Sequence, residues 1–251
     1  MKRITLIAAL LAVSAALPLL AAGKPDFEAM VREIEKIQDF SGMDFTGVFT
    51  IVSEKPGEKQ SVTQVRMFRR DAKKQFLMLI QRPEAQMGQG YLKEDDNVWF
   101  YDPTSRKFTH SSIKENLNDS EAKNADFTRK SILDDFAIEA TEESTLGKFP
   151  VWIITLKAKT GEAAYDRMKL FVRKDQTLIL KEEDYSATGR LMRTTLFPKY
   201  SPVGQGRFFP AQMLIVDEIN KGEKSQVTMS ELSTDKLPDK VFTKAFLEQV
   251  N

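Results

Sequence analysis

Strands that are apolar on both sides limit this chain more than any other feature. In Lys74–Arg82, Phe76, Met78 and Ile80 share one face, and Leu77 and Leu79 share the other. Val98 and Phe100 oppose Trp99 and Tyr101; Val151 and Ile153 oppose Trp152, Ile154 and Leu156; Met213 and Ile215 oppose Leu214 and Val216. Successive side chains of a strand point to opposite faces, so such strands must be covered on both. Antiparallel sheets normally leave one face wet. Two coverings satisfy the pattern: a dry sandwich core, or an open apolar groove or half-barrel cavity.

The rest of the chain is read by periodicity and turn residues. Pro25-Asp26 opens a helix in which Phe27, Met30, Ile34 and Ile37 recur at helical spacing, and Gly42 is expected to stop it. Strands are expected at Asp44–Ser53, Ser61–Arg70 and Lys74–Arg82, then in a hairpin from Gly90 to Tyr101 and at Arg106–Ser111. Lys114–Phe136 is polar and lacks alternation, and reads as a long connection with one or two short helices. Strand signals resume at Ala137 and continue to Leu232 with compact turns such as Lys159-Thr160-Gly161-Glu162 and Asn220-Lys221-Gly222. Pro238, Phe242 and Phe246 mark a final turn and short helix. About a dozen antiparallel strands result. No helical crossover recurs between them, which disfavours a doubly wound α/β fold. No repeat or linker divides the chain, so residues 23–251 are expected to form a single domain.

Lys2 and Arg3 precede an apolar run from Ile4 to Leu20 and the small residues Ala21, Ala22 and Gly23. This order predicts a secretory signal peptide over residues 1–22, cleaved near Ala22 or Gly23. No later stretch approaches the ~20 apolar residues that span a bilayer, so the mature chain is expected not to cross one. A secreted chain of this size with no Cys fits the periplasm of a diderm bacterium.

Composition argues against most chemistry. Without Cys there is no thiol catalysis, disulfide, Cys-ligated metal or lipid-modified N-terminal Cys. The one His, His110, has Asp102, Ser111 and Ser112 near it in sequence, yet no G-x-S-x-G elbow occurs. Asp95-Asp96, Asp134-Asp135 and Glu182-Glu183 are adjacent pairs, unsuited to paired-carboxylate catalysis if they lie on strands. Asn116, Asn118 and Asp119 lack the spaced Gly and terminal Glu of a calcium loop. With 37 Lys plus Arg against 36 Asp plus Glu, no nucleic-acid partner is indicated. Neither metal nor cofactor is expected, and the chain is not read as an enzyme. Arg69, Arg70, Lys73 and Lys74 form a basic cluster at a hairpin: a solvated turn, or a contact with an anionic headgroup, an acidic protein surface or a mobile cover.

The order of motifs resembles a known family. Phe45-Thr46-Gly47-Val48-Phe49 follows the first helix; then come Gly90-Tyr91-Leu92, Val98-Trp99-Phe100-Tyr101-Asp102-Pro103 and Arg106-Lys107. With Asn116-Leu117, Asp126-Phe127 and the ending Leu237-Pro238-Asp239-Lys240-Val241-Phe242, the chain resembles the periplasmic outer-membrane lipoprotein-sorting proteins, in their longer LolA-like branch. The resemblance implies a single curved antiparallel sheet, an incomplete half-barrel of about 11 strands. Short helices would form a lid over its concave apolar face, and a polar helical insertion would lie around 114–136. It implies a carrier for the acyl chains of lipoproteins, or for free lipid. Such a carrier would have an inner-membrane donor complex and an outer-membrane acceptor as partners. A lipid- or envelope-sensing adaptor of the same fold is the alternative. It also implies that a basic residue ending an early strand bonds to the lid, which points to Arg69 or Arg70, although the typical carrier has Pro where this chain has Asp71.

Six strand residues are candidates for the cavity wall: Phe49, Met67, Met78, Phe100, Ile153 and Met213. Alternation alone does not say which side of each strand faces inward.

Overall fold

The computed structural model describes residues 25–94, 97–129, 131–161, 163–204 and 206–250. The expected signal segment lies outside these.

Helix α1 (Phe27–Ile37) is capped by Asp26, whose carboxylate accepts the Ala29 N–H at 2.9 Å, and it buries Val31 and Ile34. It ends at Ile37 rather than at Gly42. Phe40 turns fully into the core just beyond, and its N–H donates to Asp71 at 2.8 Å. That long-range bond replaces the helical one.

Thirteen strands follow: β1 (Phe45–Glu54), β2 (Ser61–Arg70), β3 (Gln75–Arg82), β4 (Gly90–Glu94), β5 (Asn97–Asp102) and β6 (Lys107–Ser111) form the first half. The second half holds β7 (Phe136–Leu146), β8 (Phe149–Ala158), β9 (Arg167–Arg173), β10 (Ile179–Tyr185), β11 (Leu191–Gly204), β12 (Arg207–Asp217) and β13 (Lys224–Ser233). All pair antiparallel in one curved, unclosed sheet, in the order β6-β5-β4-β3-β2-β1-β13-β12-β11-β10-β9-β8-β7. The half-barrel is as expected, with thirteen strands instead of about eleven. Two meanders are joined where β1 pairs with β13, from Thr46 opposite Ser233 to Glu54 opposite Lys224.

This order has a topological consequence. Strands β6 and β7 are consecutive in sequence but lie at opposite edges of the sheet. The chain between them must therefore travel from one edge to the other. It contains a bridge between Asn116 and Lys123, a 3₁₀ turn at Asn124–Phe127 and helix α2 (Ile132–Asp135). Its apolar residues Leu117, Ala122, Phe127 and Ile132 join the principal core.

The two-sided strands are covered by different means on their two faces. Phe76, Met78 and Ile80 of β3 belong to the principal core, with α1 and the β6–β7 segment. Leu77 joins Leu92, Tyr101 and Leu247 in a second cluster on the other face. Leu247 belongs to helix α3 (Lys244–Gln249), which is capped by Thr243 and follows a 3₁₀ turn at Asp239–Phe242. Gly90 is required at this contact, because a Cβ there would lie 2.7 Å from both Leu247 Cδ2 and the Met78 carbonyl oxygen.

Candidate functional site

The concave face is built by alternate residues of the central strands. Phe49, Met67, Met78 and Met213 are all at most 3% exposed and lie together in the principal core. Phe100 is partly buried against the same core, with its ring 5.1 Å from that of Tyr91. Ile153 lies elsewhere. Its neighbours Trp152 and Ile154 belong with Leu156 and Ala158 to the set that β8 contributes to the core, and Trp152 makes an edge contact with Phe27 of α1 at 5.2 Å. Alternation then turns Ile153 to the outer face.

Sequence reading missed the residues that fill the interior. Leu117 and Ala122 are fully buried, Phe127 is 1% exposed, and its ring meets that of Phe49 edge-on at 5.1 Å. They are isolated apolar residues in a polar stretch, with no periodicity to mark them. Phe209 was missed too, although its ring lies 4.7 Å from Phe45 and 5.9 Å from Phe49.

A small set of polar contacts fixes this plug. Arg69, 2% exposed, donates from Nη2 to the Gln38 carbonyl at 2.9 Å and to Asp71 at 2.7 Å. Its Nη1 reaches the Phe127 carbonyl at 3.5 Å, and the guanidinium stands over the Phe40 ring. Arg69 thus links β2 to the end of α1 and to the plug. Asp71, where the resembling carriers have Pro, supplies its counter-charge. Arg70 points the other way, as adjacent strand residues must. It donates to Asp44 at 2.8 and 2.9 Å and to the Leu237 carbonyl and Asp239, holding the C-terminal segment. Burial alone would raise the Asp44 carboxyl, but bonds from Arg70 and from the Leu237 N–H hold it below its usual range. Of the expected basic cluster, only Lys73 and Lys74 are exposed.

On the opposite wall, Arg193 of β11 donates to Asp126 of the plug at 2.6 Å. Asp126 also accepts the Lys123 N–H at 2.7 Å. Burial lowers the Lys123 ammonium and the Arg193 charge adds to the effect; burial likewise pushes the Tyr165 phenol beside this pair up to about 12. At the far tip, the Glu121 N–H donates to Ser225 Oγ at 2.9 Å, and Ser225 bonds Ser53. Glu121, Asp217 and Glu223 bring carboxylates within 4.8 Å of one another there. Burial, then Asp217 and Glu223, raise the Glu121 carboxyl.

Beside the plug lies a cavity of about 380 Å³. None of the six expected wall residues lines it; its walls come from β2–β4, from β7 and β9–β11, and from the underside of the plug.

The residues that sequence placed near a triad serve separate turns. Asp102 accepts from Thr104 and Ser105, Ser112 accepts the Lys114 N–H, and His110 packs against the Trp99 ring. Asn118, with φ of 52°, donates to Gln86.

An open antiparallel half-barrel with a plugged apolar interior defines a LolA-like protein. A family model described only as "Uncharacterized protein" matches residues 72–249, most of the chain, and the protein belongs to the family that this model describes. No curated protein matches it. Among solved structures, a LolA superfamily protein from Nitrosomonas europaea is 20% identical, covering 87% of this chain and 98% of its own, with a TM-score of 0.75. A domain named as an outer membrane lipoprotein-sorting protein from Vibrio parahaemolyticus is 17% identical over 88% of this chain and 97% of that one, with a TM-score of 0.77. A DUF1329 family protein from Desulfovibrio piger is 22% identical over 87% and 96%, with a TM-score of 0.76. At these identities the likeness is one of fold. Among the described residues, no helix is long and apolar enough to cross a membrane.

Proposed function

We propose that this protein is a periplasmic carrier that takes acyl chains of lipoproteins, or of free lipid, into its concave interior for transfer toward the outer membrane. The observation that carries this reading is the cover of the apolar face. It is not a second sheet but α1 together with a segment joining the two sheet edges, the segment held at a few polar points. Each acyl CH₂ exposed to water costs about 0.8 kcal/mol, so a chain crossing an aqueous compartment needs such a surface. Cargo would replace Leu117, Phe127 and Ile132 against Phe49, Met67, Met78 and Met213. Exchange of one apolar filling for another keeps the opening cost small, and small changes in the plug contacts then set affinity. Binding and release involve no bond making, and the reading is of a carrier rather than an enzyme.

The test is titration with a pyrene-labelled long-chain fatty acid. Saturable binding is expected, strengthened by Phe127→Ala, which weakens the competing plug. Failure of both folded proteins to bind would overturn the reading.

A further inference from the structure

Strand β11 carries two buried hydrogen-bond donors that the carrier reading does not use. Arg193 and Thr195 are 6% and 2% exposed, and with Phe197 they share one face of the strand. Arg193 gives Nη2 to Asp126 and faces the Tyr165 phenol, yet its Nε has no acceptor among the described residues. The Thr195 hydroxyl has no partner among them either. Glu182 stands opposite Thr195 in the β10–β11 pairing, but it is engaged elsewhere. A buried donor left unpaired carries the full cost of its desolvation. Two in succession on one face are a feature of a binding site more than of a packed core.

The three residues step from an open space toward the core. Arg193 lines the cavity of about 380 Å³ beside the plug. Thr195 and Phe197 line a more enclosed pocket of about 10 Å³, room for one small polar group. The two spaces share Arg69, Asp126, Thr128 and Glu182 as a common wall. Phe209 and Met213 of the principal core close the smaller one. The donors therefore mark the boundary between an opening that can hold a polar group and the apolar interior.

We propose that Arg193 and Thr195 form a subsite for the ester carbonyl of an acyl chain, with the polar part of the ligand in the cavity and the hydrocarbon running past Phe197 toward Met213. This rests on the carrier reading and names the cargo class within it: chains attached through an ester. The Arg193 charge is already balanced by Asp126, so what the arginine still offers is an N–H. An N–H and an O–H without surplus charge suit a neutral acceptor, and a carbonyl oxygen has two lone pairs to accept both. An ester lipid also has its parts in the order of the site: polar group, carbonyl, hydrocarbon. An ether-linked chain lacks the carbonyl and would leave both donors unpaired.

The experiment uses the full chain, incubated separately with palmitoyl lysophosphatidylcholine and with its hexadecyl ether analogue, and read by native mass spectrometry. The two lipids share headgroup and chain and differ in the carbonyl. The ester lipid should be retained about tenfold more tightly, the worth of one net hydrogen bond. Thr195→Val keeps the branched shape and removes the hydroxyl. It should abolish most of that preference by weakening the ester lipid alone, with retention of the ether lipid unchanged. Its Tm should not fall, because the hydroxyl removed has no partner to lose. Equal retention of the two lipids by the unaltered protein would overturn the subsite and leave the carrier reading standing. So would a preference that survives Thr195→Val, or a loss of equal size for both lipids, which would make Thr195 a packing residue. A large fall in Tm would contradict the unpaired hydroxyl on which the subsite rests. Retention of neither lipid by the unaltered protein would remove both readings.

Discussion

Arg193 of β11 and Asp126 of the plug form an ion pair at 2.6 Å in which both side chains are at most 10% exposed. It ties the β6–β7 segment to the second half of the sheet, as Arg69 ties it to the first through the Phe127 carbonyl. The plug is thus held from both sides by guanidinium groups that originate in the sheet.

Replacing Arg193 with Met should be severely destabilising, because it breaks the buried pair with Asp126 and removes a guanidinium that also acts on Asp184. A loss of about 3–5 kcal/mol is expected, since breaking a buried pair costs more than the pair contributes. Calorimetry should show a fall in Tm on the order of 10 °C. Adding Asp126→Asn and Asp184→Asn to the same chain should restore much of it. A triple variant no more stable than Arg193→Met would show that the charges are not what the arginine serves.

The plug tip should respond to pH through Glu121. Its carboxyl is raised in the folded protein by burial, then by Asp217 and Glu223. The neutral form is therefore favoured by folding, and its stabilisation is complete below the unfolded carboxyl value near 4.3 and lost as pH rises through the raised one. Glu121→Gln should raise Tm at pH 7 by a few degrees, corresponding to under about 1 kcal/mol at this half-exposed site, and should gain nothing at pH 4. Thermal melts of both proteins at the two values check it. A gain of equal size at both would point to something other than charge.

The opposite sign applies to Asp44. Although burial works to raise it, bonds from Arg70 and the Leu237 N–H depress its carboxyl in the folded state. The contribution is present above the unfolded value near 3.9 and disappears as pH falls through the depressed value. Acidification below about pH 4 should release the C-terminal segment that Arg70 holds, before the sheet melts. Amide exchange at Leu237 and through α3, followed against exchange in β1, measures this order.

Gly90→Ala should destabilise by about 1–3 kcal/mol, as expected for overpacking a closed contact. The added Cβ meets the backbone carbonyl of Met78 as well as the movable Leu247 side chain. A loss of near-ultraviolet aromatic signal from the Phe68–Phe246 contact should accompany it. An unchanged Tm would mean that α3 rides freely on the sheet.

Ile153 and Met213 separate the two faces. Lys at Ile153 can extend its ammonium outward from the outer face, so fatty-acid binding should persist in the folded variant. Lys at Met213 places a charge in the core with no partner, and binding should be abolished with a loss of stability. Comparable binding by both variants would contradict the facing of β8 and β12.

Much of the architecture was legible because its signals are local. Alternation and turn residues pointed to about a dozen strands where the sheet has thirteen, Asp26 marked the start of α1, and the two-sided strands β3 and β8 demanded cover on both faces. The resemblance supplied the half-barrel and pointed to Arg69 or Arg70 without choosing between them. The inward side of each strand could not be read in the same way. Phe76 and Leu77 are equally apolar, and only the docking of α3 on one side and the plug on the other assigns their faces. Ile153 lies across that division from the other wall candidates for the same reason. The filling of the interior was also hidden, since Leu117 and Phe127 are buried by a path between two sheet edges. That path follows from strand order, which depends on pairings such as Thr46 with Ser233. Local chemistry determined the elements; long-range pairing decided which surfaces they enclose.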